Sequence, residues 1–158
     1  MKKLILFSAF VFVALCCFSQ TKPYNEDIDA VEQINSAVKQ AKAEQKYVLV
    51  QVGGNWCPWC LRFAELAQSN EAIKNVIDSN YVYIHVNYSK KNKNEKAMAM
   101  LDNPTRFGFP VFVILDENGK RIHTQNSVYL EEGKGYSEKL AKEFLEIWMP
   151  TAVKTIKR

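Results

Sequence analysis

The chain has 158 residues, 47% of them hydrophobic and 24% charged, with a formal net charge of +4. This is ordinary globular composition, long enough for one domain with a real core. Lys2 and Lys3 stand before an apolar run from Leu4 to Leu15, and Cys17-Phe18-Ser19 places small residues at both key positions before Gln20. That is the layout of a secretory signal peptide, residues 1–19, cut near Ser19/Gln20; the apolar run is short for a membrane-spanning helix. Leu15 is bulky where a lipoprotein signal takes a small residue, which argues against lipidation at Cys16 or Cys17. The expected mature chain, residues 20–158, loses Lys2 and Lys3 and carries a net charge of about +2. So small a charge excludes a nucleic-acid footprint, and the run Lys90-Lys91-Asn92-Lys93 reads as a solvated loop. The expected location is outside the cytoplasm: the periplasm of a Gram-negative source, otherwise the extracellular space.

Residues 20–26 read as a polar lead-in. From Asp27 onward, Ile28, Val31, Ile34, Val38 and Ala41 space as the apolar face of a helix that runs to about Gln45. A strand follows at 47–52, then Gly53-Gly54-Asn55, then a second helical pattern with Leu61, Ala64, Leu66 and Ala67 among polar residues. Asn70 caps a further helix carrying Ala72, Ile73, Val76 and Ile77. The next strand is 81–87, and both strands are apolar nearly throughout, as central parallel strands are. Residues 88–96 form a polar loop. Ala97, Met98, Met100 and Leu101 suggest a short helix ended by Asn103-Pro104. Arg106-Phe107-Gly108-Phe109-Pro110 leads into a strand at 111–115, the turn signal Asp116-Glu117-Asn118-Gly119 returns it as residues 120–125, and 126–136 is a Gly-containing loop. The last helix opens at Tyr136-Ser137, buries Leu140, Phe144, Leu145 and Trp148, and stops before Pro150. There are no repeats and no linker to a second domain. Parallel strands joined by a helical crossover, followed by a hairpin, give a mixed sheet of about four strands with helices on both faces, an α/β sandwich of three layers.

The chemistry concentrates in Trp56-Cys57-Pro58-Trp59-Cys60, at the point where the first strand turns into a helix. With Cys57 as N-cap, Pro58 takes the first helical position, where its missing N–H costs nothing and its fixed φ suits the helix. The N–H groups of Trp59 and Cys60 then lack intrahelical acceptors and point at the Cys57 sulfur, and the helix dipole adds positive potential there. Both effects favour thiolate over thiol, so Cys57 is the expected nucleophile. Cys60 lies one turn in on the same face, within reach of a disulfide. Once Cys16 and Cys17 leave with the signal, only this pair remains of the four cysteines. A bridge across two residues closes almost no loop and constrains the unfolded chain little, so thiol–disulfide exchange explains the pair better than a structural staple.

These residues make the chain resemble the thioredoxin family over roughly residues 27–148. The resemblance rests on Trp56-Cys57-Pro58-Trp59-Cys60 at a strand–helix junction, on Gly108-Phe109-Pro110 opening a strand, and on the Asn118-Gly119 hairpin after it. It implies a thioredoxin-like fold and a protein-disulfide oxidoreductase in which Cys57 attacks and Cys60 resolves. It also implies that Pro110 is cis beside the sulfurs, and that Phe109 offers its backbone to an extended substrate by strand addition. Trp56, Trp59, Phe109 and Phe107 are candidates for an apolar rim, with Phe107 alternatively in the core. The family carries a buried carboxylate six residues before the first cysteine; here that position is Gln51. An amide takes no proton from Cys60, so slow resolution near neutral pH is expected unless water or His85 on the next strand serves. Histidine titrates near neutral pH, although a packed core or strand-end role fits His85 as well. His123 reads as surface.

The expected partners are protein thiols and disulfides as substrates and a membrane or soluble thiol protein for recycling, with the chain a monomer. No metal or organic cofactor is required. Structural zinc needs four ligands and haem attachment needs histidine directly after Cys60, where Leu61 stands. A thiol-based metal carrier and a non-enzymatic adaptor or chaperone on the same fold are the alternatives; retention of both cysteines weighs against the adaptor.

Overall fold

The computed structural model describes residues 22–156. The expected signal peptide and its cut at Ser19/Gln20 lie outside the described residues. The first helix, α1 (Ala30–Glu44), starts later than its apolar spacing suggests. The Asp29 side chain is the reason: it accepts from the N–H groups of Val31 (2.8 Å) and Glu32 (3.1 Å). Such a cap contributes about 1 kcal/mol and fixes the helix start. Ala30, Ile34, Ala37 and Ala41 form the buried stripe, while Ile28 is exposed.

Strand β1 (Tyr47–Gly53) is buried along its whole length. It leads to α2 (Pro58–Ser69), α3 (Glu71–Asn80) and β2 (Tyr81–Asn87). Asn70 closes α2 through its N–H on the Leu66 carbonyl and caps α3 by accepting from the Ile73 N–H. A short helix α4 (Glu95–Met100) and a 3-10 turn at Pro104–Phe107 precede β3 (Val111–Leu115). The hairpin to β4 (Arg121–Asn126) turns at Gly119, whose φ of +80° suits glycine, with the Asp116 carboxylate accepting from the N–H groups of Asn118 and Lys120.

The sheet runs β2-β1-β3-β4, with β1/β2 parallel and the other two pairs antiparallel. The mixed four-strand sheet matches expectation, with one correction: β2 is an edge strand. It reads as central because α1 and α3 cover its two faces, and apolar patterning reports facial cover rather than lateral neighbours. Alternation sorts the core into two halves. Val48, Val50, Val52, Val111 and Val113 face α1 and α4, whereas Leu49, Phe112 and Ile114 face α2, α3 and the last long helix.

Three further corrections concern the second half. Residues 126–136 are not a plain loop: a 3-10 turn leads into a small hairpin, β5 (Glu131–Glu132) and β6 (Gly135–Tyr136). In α5 (Glu138–Ile147) the buried residues are Ala141, Phe144 and Leu145, and Leu140 is turned outward. Pro150 does not lie beyond the final helix; it is the first residue of another, α6 (Pro150–Ile156), where a missing N–H is tolerated.

Candidate active site

The end of β1 delivers the chain through Gly53 and Gly54 to Cys57, which caps α2 with Pro58 next to it. The cysteines are joined as a disulfide with Cα atoms 5.2 Å apart. Of the two N–H groups expected to face the Cys57 sulfur, one does: Cys60 N–H donates to Cys57 Sγ at 3.2 Å. Cys57 is the more open of the pair at 4% exposure, and Cys60 has none. Trp59 and Phe109 pack against them from outside.

The Phe109–Pro110 peptide bond is cis, directly ahead of β3. Phe109 stands edge-on to Trp56 (centroids 5.4 Å) and stacks on Tyr88 (5.1 Å). Trp56 is 54% exposed and anchored by its Nε1–H on the Tyr88 carbonyl at 2.8 Å. The Trp59 ring turns the other way, against Tyr136 of β6 (5.4 Å) with Arg62 above it, and the Tyr136 hydroxyl donates to the Trp59 carbonyl. Phe107 belongs neither to the core nor to this group of rings: it is exposed and carries Arg106 over its face. Tyr88 and Tyr136 replace it, and both lie in stretches whose composition marks them only as loop.

Gln51, Gly53, Tyr83, His85 and Asn87 alternate onto the sheet face that receives α2, and the register sets Gln51 beside His85. Gln51 is fully buried and fully engaged. Its Nε2 donates to the Tyr24 hydroxyl (2.6 Å) and to the Cys60 carbonyl (2.9 Å), and its Oε1 accepts from the Tyr83 hydroxyl. The amide thus holds the first turn of α2 against the sheet. Tyr24 is the residue that sequence reasoning missed most completely. The polar lead-in folds back so that Tyr24 is 2% exposed and clustered with both cysteines.

His85 packs between Tyr24 (5.2 Å) and Tyr83 (4.5 Å), and its Nε2 is buried with no partner among the described residues. Burial pushes it down to about 4, which takes its titration away from neutral pH. Between about 4 and the ordinary 6.5 the unfolded chain binds a proton that the folded one refuses, so stability falls as pH drops through that window. Unfolding free energies from urea denaturation are expected to fall there by up to about 1.4 kcal/mol per pH unit, and His85→Phe to flatten the slope. An unchanged slope in the variant would show that His85 is not the group responsible. His123 is half-buried rather than superficial, stacked on Trp148 at 4.0 Å.

A mixed sheet whose first strand runs into a Cys-x-x-Cys helix start, with a cis-proline at the head of the next central strand, defines a thioredoxin fold with a redox-type cysteine pair. A family model described as thioredoxin-like matches residues 29–117, and the chain belongs to that family. Among solved structures, the disulphide isomerase from Xylella fastidiosa Temecula1 superposes with a TM-score of 0.71 at 22% identity, covering 80% of this chain and 95% of that one. A protein titled DsbH oxidoreductase gives a TM-score of 0.53 at 21% identity, over 76% of this chain and 81% of that one. No curated protein matches.

Proposed function

We propose that the protein is a thiol–disulfide oxidoreductase acting on protein thiols and disulfides. The observation that carries the reading is the Cys57–Cys60 disulfide at the start of α2, with the Cys60 N–H on the Cys57 sulfur and the cis Phe109–Pro110 bond in the same constellation. Cys57 thiolate attacks a substrate sulfur, a mixed disulfide forms, and Cys60 displaces the substrate. An extended substrate segment pairs with the backbone at Phe109 and lies across Trp56, whose exposed ring supplies apolar contact. A second thiol protein, membrane-bound or soluble, resets the pair. The names of the two structural neighbours support this class of activity without choosing its direction. The test is reduction of a peptide disulfide by the dithiol form, followed with dithiothreitol as the terminal reductant. Catalysis above the dithiothreitol background is expected, and none would overturn the reading.

The same proposal places the protein outside the cytoplasm, on the strength of residues 1–19. Mass spectrometry of the processed protein is expected to show Gln20 at the N-terminus; an intact Met1 or an acylated Cys16 or Cys17 would refute export as a soluble protein.

A further inference from the structure

Tyr24 belongs to no helix or strand, yet it is built into the site with care. Asn55 clasps its backbone from both sides, Oδ1 accepting from the Tyr24 N–H at 3.2 Å and Nδ2 donating to the Tyr24 carbonyl at 2.8 Å. Its ring stands edge-on to His85, and its hydroxyl oxygen accepts from Gln51 Nε2. A Cβ placed on Gly53 would meet Cys60 Sγ at 2.4 Å and Tyr24 Oη at 2.9 Å. Glycine at 53 is therefore what allows the tyrosine hydroxyl and the second sulfur to crowd the same point. The hydroxyl oxygen is used but its proton is not: among the described residues it has no acceptor while the disulfide is closed.

We propose that the Tyr24 hydroxyl donates a hydrogen bond to the Cys60 thiolate of the reduced protein, supporting the resolving cysteine from its position beside Gln51 and Gly53. The catalytic meaning of this contact rests on the oxidoreductase reading above; the contact itself does not. Buried tyrosine suits the task because desolvation raises its pKa far above the ordinary value, so it stays protonated and acts as a donor, never as a base. An O–H bond to a thiolate is charge-assisted and worth more than one to a neutral thiol, which favours the attacking form. The resolving step balances without any further reagent. The Cys60 sulfur bonds to Cys57, the Cys57–substrate bond breaks, and the proton that leaves Cys60 is matched by the one the departing substrate thiolate takes up.

The other titratable groups around Cys60 do not compete for this role. Cys57 on α2 is the sulfur under attack. Tyr83 on β2 already gives its proton to Gln51 Oε1, and Tyr136 on β6 gives its own to the Trp59 carbonyl. His85 on β2 is held neutral by burial, and the nearby charges of Arg62 and Glu131 act on Tyr136.

The experiment is a titration of Cys60 alone. Ultraviolet thiolate absorbance of full-length Cys57→Ser is read against Cys57→Ser/Cys60→Ser, which subtracts Cys16, Cys17 and the tyrosines. Adding Tyr24→Phe to both chains keeps the ring and removes the hydroxyl; the Cys60 thiolate fraction at fixed pH below its midpoint is expected to fall about tenfold. A ring-fluorinated tyrosine at position 24 is a stronger donor of nearly the same shape, and it is expected to move the midpoint down. A merely structural Tyr24 moves neither. If Tyr24→Phe does not fold, the fluorinated chain decides alone, and an unmoved midpoint in the folded variants overturns the proposal. No substrate enters this measurement, so a protein that fails to reduce disulfides yet shows the Tyr24 shift refutes the oxidoreductase reading and leaves this contact standing.

Discussion

Cys57→Ser is expected to drop disulfide reduction to the background rate, a loss on the order of 10³-fold or more, as for other nucleophile deletions. Cys60→Ser is expected to retain the first attack and accumulate mixed disulfides with substrate proteins. The asymmetry follows from where the two sulfurs sit. Cys57 caps the helix, so its sulfur receives the Cys60 N–H and the positive end of the α2 dipole, both of which favour thiolate. Cys60 is fully buried beneath that sulfur, packed against Gly53 and Tyr24, with no surface through which a protein disulfide gains access. Non-reducing gel electrophoresis after substrate exposure separates the two variants. Complexes trapped by Cys57→Ser in place of Cys60→Ser would reverse the assignment of attack and resolution.

The cysteine pair was legible because its physics is local. Strand, turn, cap, proline and helix all lie within one continuous stretch, and each residue's role follows from its immediate neighbours. The surroundings of the pair were less legible because they come from distant segments. Tyr24 reaches the site only after the lead-in folds back onto Asn55, a contact 31 residues apart that leaves no periodic signal. Tyr136 arrives on a two-residue hairpin strand too short to show alternation, and Tyr88 sits just past β2 in a stretch whose composition says only loop. The doublet Gly53-Gly54 was a usable clue: a Cβ at either position meets a neighbouring side chain at 2.4 Å, which announces close approach. Gln51 stands out in the sequence as a departure from the family pattern, but its three partners are not legible there. It is the hub of a hydrogen-bond network rather than simply a missing base.

Gln51→Leu is expected to destabilise the protein by about 4 kcal/mol. Leucine fills a similar volume in a fully buried place, so little of the loss comes from packing. It comes from three hydrogen bonds: to the Tyr24 hydroxyl, to the Cys60 carbonyl and from the Tyr83 hydroxyl. Each contributes about 1 kcal/mol net, and a buried hydroxyl left without its partner adds a desolvation cost of similar size. The network origin of the loss has a signature that simple packing lacks. In a Tyr83→Phe background neither the Tyr83 bond nor an orphaned hydroxyl remains to be lost, so Gln51→Leu is expected to cost about 2 kcal/mol less than in the natural chain. Urea denaturation of the disulfide form of all four proteins closes the cycle. Additive losses would mean that Gln51 and Tyr83 are not coupled, and that the amide acts on the helix start through Cys60 and Tyr24 alone.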